Sequence, residues 1–256
     1  STYIPKYRLG KDTVGWGSSQ ERTVANFDED SVTMAVAAGM SCLKQVPRDE
    51  IDGLLFATTS PPYLEKQGAS IIATALDLRR EVYTNDITGV LRAGTSALKI
   101  AVDTIKAGSA RNILVLAADS RQAPPRGHME KNIGDGSVGF VISAEKSPIV
   151  IDQFFTLSEN MLDSWRSSSD EFIQSWEERF VYEEGLDRIL QESVSIFMNN
   201  YGFTAEDFTK VGFYSPTLRR YNQIGKKLGF APEQLQEPYF GKIGNTGVAY
   251  SLMLLA

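Results

Sequence analysis

One cysteine, Cys42, and one histidine, His128, are alone of their kinds in this sequence and limit what it can do chemically unaided. A thiolate nucleophile would have to be Cys42, and an imidazole base would have to be His128. Cys42 sits mid-helix beside Leu43, where a cysteine acts as a small hydrophobe. His128 lies in the loop Pro124-Pro-Arg-Gly-His-Met129, where a histidine is ordinarily solvated. One of each also excludes an internal disulfide and a Cys- or His-rich metal cluster. Polar groups at turns and element ends remain. Asn245, in Gly244-Asn-Thr-Gly247, is on a glycine-rich tip from which its amide can donate to a carbonyl oxygen. Tyr214 at a strand end can donate a hydrogen bond or act as a weak acid, although such a tyrosine is usually structural. Asp135, in Gly134-Asp-Gly136, suits the ordering of backbone amides better than chemistry. Arg92 stands at a helix start, where it can meet a phosphate or carboxylate or form a structural ion pair. Glu65 and Lys66 follow Pro61-Pro62-Tyr63 in a loop, and such a pair is most often a solvated surface feature.

The elements that position these groups belong to an α/β protein. The 256 residues are 42% hydrophobic with a net charge of −6, enough to bury a core without staples. Neither a membrane span nor a dense basic stripe is visible, which argues against membrane insertion and nucleic-acid binding and for a cytoplasmic protein. Residues 1–27 read as loop. A helix opens at Asp28-Glu-Asp-Ser31, with Val32, Ala35, Val36, Met40 and Leu43 on one face. Strands are predicted at 53–59, 112–118, 137–143 and 149–157, with a shorter one over 86–91. Helices are predicted at about 67–78 and 95–107. The stretch 158–184 reads as a cap of short helices, with Trp165 and Trp176 as core anchors.

The second half repeats the first. Thr204-Ala-Glu-Asp-Phe-Thr-Lys-Val-Gly-Phe-Tyr-Ser215 parallels Pro47-Arg-Asp-Glu-Ile-Asp-Gly-Leu-Leu-Phe-Ala-Thr58, with Phe213 and Phe56 at matching places. Each half then carries a helix (67–78, 217–229) and a glycine-rich tip (89–94, 241–247) that opens another helix. Such repetition reads as two halves, 1–146 and 147–256. The first half adds the strand 112–118 after its last helix and the second stops at Ala256, so a C-terminally truncated chain is expected.

Gly134-Asp-Gly-Ser-Val-Gly139 resembles the Gly-Asp-Gly-Ala-x-Ala signature of the thiolase superfamily, and Gly244-Asn-Thr-Gly247 resembles its Gly-Asn box. Arg111–Asp119 looks like the family's buried strand, and Thr58–Ala69 like a stretch of archaeal-type hydroxymethylglutaryl-CoA synthases. The resemblance implies a five-layer α/β/α/β/α thiolase fold in the branch of hydroxymethylglutaryl-CoA synthase and ketoacyl synthase III. It also places the family's catalytic positions. The nucleophilic Cys falls at Leu91, the His at Tyr214 and the general-base Glu at Thr59, while Asn245 keeps its identity. Arg92, Glu65 and Gly247 would contact substrate.

A similar loss marks the synthase-like subunit of three-component phloroglucinol acetyltransferases, which Glu21–Val24, Asp28–Val32 and Gly94–Leu98 also resemble. This resemblance implies an acyltransferase-type protein that handles acyl-CoA, with no covalently bound cofactor. It would work with a Cys-bearing thiolase and a zinc-ribbon OB-fold partner. The branch also implies a homodimer, paired through an edge strand near Val115. The rival readings are a self-sufficient synthase or decarboxylase without an acyl-enzyme, and a non-catalytic structural partner of a thiolase.

Overall fold

The computed structural model describes residues 1–10, 13, 20–127, 129–145, 147 and 149–256. In chain order the elements are β1 (Thr2–Tyr3), β2 (Tyr7–Leu9), β3 (Arg22–Val24), α1 (Ser31–Cys42), β4 (Gly53–Ala57), α2 (Gly68–Ala75), β5 (Tyr83–Ile87), α3 (Ala93–Lys106), β6 (Asn112–Asp119) and β7 (Gly136–Ser143). There follow β8 (Ser164–Trp165), β9 (Gln174–Ser175), α4 (Glu178–Phe180), α5 (Arg188–Tyr201), α6 (Leu218–Lys227) and α7 (Tyr250–Leu255).

Packing divides the chain into two compact units. The first holds 1–121, 131–150 and 239–256; the second holds 122–130 and 151–238. Compared with the expected halves 1–146 and 147–256, packing assigns 122–130, 147–150 and 239–256 differently.

The first unit is built on a mixed sheet of order β1-β7-β6-β4-β5. β4 runs parallel to both β5 and β6, and β7 runs antiparallel to β6. All five residues of β4 are buried, as are Ile113–Asp119 of β6. Side chains alternate along a strand, so both faces of these two are covered. Leu54, Phe56, Leu114, Leu116 and Ala118 meet Met34, Ala35 and Ala38 of α1 and Ile72 of α2 in one cluster. α3 packs on β4 and β6, and its buried face is Ala97, Leu98, Ala101 and Val102. Burying each large aliphatic side chain contributes about 2 kcal/mol, so this core holds the sheet rigid beneath whatever sits at its ends.

Local signals fix the helix starts. Asp30 caps α1: its Oδ1 accepts from Thr33 N–H at 2.7 Å, while Thr33 Oγ1 accepts from Asp30 N–H at 2.7 Å. α2 has no side-chain cap from its own N-cap residue, Gln67. Asp86 of β5 supplies one across the sheet, accepting from Gly68 N–H at 2.6 Å and Ala69 N–H at 2.7 Å.

The second unit contains the β8–β9 ladder, α4, a π-helical stretch Val181–Asp187, α5 and α6. α5 ends where Gly202 takes φ +70°. Asp187, at the end of the π stretch, accepts from Lys227 Nζ of α6 at 2.8 Å.

Several expectations need correction. Residues 149–157 form no strand; their β-branched and aromatic residues have no neighbouring ladder to pair with, and Ile149 and Val150 are exposed. The stretch 204–215, which its parallel with 47–58 would make a turn and a strand, forms no strand and over 210–215 makes a single bridge, Val211 to Leu235. The stretch 158–184 is irregular chain with one short ladder and one helical turn before the π stretch. Trp165 lies on β8 at 36% exposure and Trp176 is 53% exposed, so neither anchors a core. The loop-like N-terminus contributes β1, β2 and β3. Val115 is not at an edge: β6 is hydrogen-bonded on both sides, to β4 and β7. The edge strands are β1 and β5.

Candidate functional site

At the C-terminal end of β6 stands Asp119, a carboxylate with no solvent exposure. The strand β4 ends alongside it, and the chain turns through Thr58, Thr59 and Ser60 around the carboxylate. Its Oδ1 accepts from Thr58 Oγ1 (3.0 Å), Thr59 N–H (2.7 Å), Ser60 N–H (3.1 Å) and Ser60 Oγ (2.9 Å). Its Oδ2 accepts from Thr59 Oγ1 (2.9 Å) and Val248 N–H (2.9 Å). A buried carboxylate needs this density of donors to offset its desolvation. Asp119 therefore ties the end of β4 to the start of the C-terminal helical segment, where a 3-10 turn, Gly247–Ala249, leads into α7.

Asn245 precedes that turn and is 4% exposed. Its Oδ1 accepts from Gly247 N–H at 3.0 Å and from Arg121 Nη2 at 3.1 Å. The loop holding Asn245 lies against the Gly-Asp-Gly loop. Gly134 N–H donates to Asn245 O at 3.0 Å, and Asn245 N–H donates to Asn132 O at 2.6 Å. A side chain on Gly134 would overlap Ile243 O, so only glycine permits this approach. The start of α3 closes the third side: a Cβ on Gly94 would press into Val248 O.

Asp135 performs the role expected for it. Its Oδ2 accepts from Ala25 N–H at 2.7 Å, and its backbone N–H lies 3.0 Å from Thr23 Oγ1. Burial pushes its carboxyl up to about 6, against the opposing pull of the Ala25 amide and of Arg22 and Arg121. The folded protein then holds a proton that the unfolded chain releases, so Asp135 favours folding below about pH 4, and that contribution is lost as pH rises through about 6. Asp135→Asn keeps an oxygen for Ala25 and cannot ionise. It is expected to be as stable as wild type at about pH 3.5, below both pKa values, and more stable at pH 7.5, by up to about 3 kcal/mol for a shift of this size. Thermal unfolding of both proteins at the two pH values checks this; a constant difference across pH refutes it.

The sequence-derived candidates divide between the units. Thr59, Asn245 and Gly247 meet around Asp119. Leu91 is half-buried in the turn between β5 and α3, two residues before a helix that begins at Ala93. Arg92 is exposed, and no carboxylate among the described residues pairs with it. Glu65 and Lys66 are exposed on their loop. Tyr214 is half-buried in the second unit, on irregular chain before α6. His128 lies outside the described residues. Cys42 ends α1, where the helix's partial negative charge disfavours a thiolate. Burial raises its thiol further. Asp119 and Arg121 are site residues that sequence reasoning misses. The one available signal is an acidic residue closing the apolar run 112–118, which has to find donors if it is buried.

No protein-family model matches the chain. Among curated proteins it is similar to the hydroxymethylglutaryl-CoA synthase of Pyrococcus horikoshii, 28% identical over 255 residues, covering 95% of this chain and 73% of that one. The Caldivirga maquilingensis hydroxymethylglutaryl-CoA synthase is 29% identical, covering 99% and 77%. Among solved structures, 3-oxoacyl-(acyl carrier protein) synthase III of Pseudomonas aeruginosa PAO1 superposes with a TM-score of 0.86 at 16% identity, covering 99% of this chain and 86% of that one. Xanthomonas campestris OleA with bound lauric acid and lauroyl-CoA gives a TM-score of 0.85 at 16% identity, covering 100% and 87%. The fold is the α/β thiolase fold of ketoacyl synthase III structures, and in sequence the chain is similar to hydroxymethylglutaryl-CoA synthases.

Proposed function

We propose that this chain handles acyl-CoA thioesters in carbon–carbon bond chemistry, as an acyltransferase-type protein of the hydroxymethylglutaryl-CoA synthase kind, without forming an acyl-enzyme. The observation that carries this is the pairing of a preserved donor with a missing nucleophile. Asn245 is held on a rigid loop at the end of the central sheet, while Leu91 occupies the turn before α3 where the resemblance puts the nucleophilic cysteine. Leucine has no lone pair with which to attack a thioester. The one thiol, Cys42, lies at the wrong end of its helix with its pKa raised by burial. Thr59, at the family's Glu position, spends its hydroxyl on Asp119 and offers no general base. The site is suited to binding and polarising a thioester carbonyl while another chain supplies the nucleophile. A Cys-bearing thiolase and a zinc-ribbon OB-fold protein are the proposed partners in a cytoplasmic complex. A homodimer paired through the β5 edge would cover the unpaired backbone groups of that strand.

Incubation of the isolated chain with labelled acetyl-CoA tests this. Binding is expected, with no covalent acetyl adduct on Cys42 or elsewhere by intact-mass measurement. Leu91→Cys is expected to gain labelling but little condensation, since neither Thr59 nor Tyr214 supplies the missing proton transfers. Stoichiometric acetylation of the wild-type chain would overturn the reading. Condensation by the isolated chain without an adduct would favour a self-sufficient synthase. Co-purification with a Cys-bearing thiolase supports the complex, and a monomer by light scattering at micromolar concentration would remove the dimer.

A further inference from the structure

β3 belongs to a two-stranded ladder with β2 that stands outside the five-stranded sheet. Its residues and their neighbours are bonded instead to two loops. Glu21 N–H donates to Gly241 O at 3.0 Å, and Thr23 N–H donates to Ile243 O at 2.8 Å. Thr23 Oγ1, without solvent exposure, donates to Asp135 O at 2.6 Å, and Arg22 Nη1 donates to Ile133 O at 3.2 Å. Ala25 N–H donates to Asp135 Oδ2 at 2.7 Å. Residues 21–25 therefore form a strap across the Gly-Asp-Gly loop and the loop that carries Asn245. Those loops also touch each other, backbone to backbone, through Gly134 and Asn245. Lifting the strap uncovers both and leaves the ladders joining β4, β6 and β7 intact.

One group under the strap is poorly provided for. Asp135 is 4% exposed, and its Oδ1 has no hydrogen-bond partner. Asp119, equally deep, has six donors on its two oxygens. The charged groups that face Asp135 are Arg22 on the strap, and Arg121 and Asp119 at the end of β6. The two guanidiniums favour the ionised carboxyl and Asp119 opposes it, but neither guanidinium donates to Oδ1. A neutral carboxyl can leave one oxygen unbonded at modest cost. An ionised one spreads its charge onto that oxygen and needs donors there. Ionisation of Asp135 thus works against the shut strap, and lifting the strap lets water reach both oxygens.

We propose that Asp135 is a proton-operated latch on residues 21–25, holding the strap shut over the two loops when its carboxyl is neutral and letting it open more often when ionised. Burial pushes the carboxyl of the shut form from 3.8 up to about 6. In the opened form the group is solvated and titrates in the ordinary carboxylate range. The opened form therefore binds fewer protons between about pH 4 and pH 6, and opening becomes easier as pH rises through that window. From pH 5 to pH 7.5 the opening constant is expected to grow about tenfold. The latch does not depend on the acyl-thioester reading above, and its failure would leave that reading untouched.

Amide hydrogen exchange of the whole chain, followed by NMR across pH with intrinsic exchange rates divided out, tests the proposal. The opening constants of the Thr23 and Ala25 amides are expected to rise about tenfold from pH 5 to pH 7.5. They are also expected to exceed those of the β4 and β6 amides by roughly 100-fold, because the central strands exchange only on global unfolding. Asp135→Asn keeps an acceptor for Ala25 and cannot ionise, so it is expected to abolish the rise. Thr23→Val loses the hydroxyl that holds Asp135 O. It is expected to raise the Ala25 opening constant at every pH while keeping the tenfold dependence, and it stands as the second variant should Asp135→Asn not fold. Wild-type opening constants that stay level across pH, or that equal those of β4 and β6, would overturn the latch. So would an Asp135→Asn protein that shows the wild-type rise, or a Thr23→Val protein that loses it.

Discussion

Replacing Asp119 by leucine is expected to destabilise the protein by about 4 kcal/mol or more, the scale on which removing one partner from a buried charged network acts. Leucine fills most of the volume and cannot accept. Thr58 Oγ1, Thr59 N–H and Oγ1, Ser60 N–H and Oγ, and Val248 N–H would all lose their common acceptor. The Arg121 guanidinium would also lose its buried counter-charge. For a chain of this size about 1 kcal/mol shifts the melting temperature by roughly 2–4 °C, so a fall of roughly 10 °C or more is expected. Asp119→Asn keeps one acceptor oxygen and should fall between the two. Differential scanning calorimetry of the three proteins measures it, and a leucine variant melting within about 2 °C of wild type would show that the network contributes little.

Gly247→Ala is expected to be nearly as damaging, although it adds one methyl group. Gly247 adopts φ +62°, in the left-handed region that alanine enters at a cost of about 1 kcal/mol. The new Cβ would also overlap Asp119 Oδ2 and stand 2.9 Å from Arg121 Nε. The carboxylate cannot retreat without breaking its contacts to Thr59 and Val248, so about 3 kcal/mol in total is expected from strain and overpacking together. Gly202 separates the two contributions. It has φ +70°, and a methyl group added there would meet nothing within 4 Å, so Gly202→Ala carries the backbone cost alone. Chemical denaturation should rank Gly247→Ala at least twice as destabilising as Gly202→Ala. Equal values would mean that the network yields to the methyl group freely.

The parts of this fold that could be read from the sequence are those whose neighbours in space impose a pattern on consecutive residues. Strands β4 and β6, covered on both faces, appear as unbroken apolar runs, and Asp30 with Thr33 marks the start of α1 within four residues. Asn245 could be singled out because the glycines that allow its loop to approach another are beside it in sequence. Asp119 and Arg121 could not, because their hydrogen-bond partners lie 59 to 129 residues away and leave no local spacing. Trp165 and Trp176 mislead for the opposite reason. Their size suggests burial, but what covers a side chain is set by tertiary neighbours that composition does not specify. The β-branched and aromatic residues over 149–157 likewise signal a strand that finds no ladder.

The hydrogen bond from Val248 to Asp119 spans 129 residues, and that separation has a consequence for synthesis on the ribosome. Chains emerge N-terminus first, at about 5–20 residues per second. By the time β7 is out, β4, β6 and the turn at 58–60 can already surround Asp119, but neither Val248 nor Asn245 has been made. For several seconds the nascent chain carries a buried acidic group short of a donor, beside an arginine whose amide partner does not yet exist. The polar end of the sheet is therefore the last part of the first unit to close, after the second unit has been translated in full.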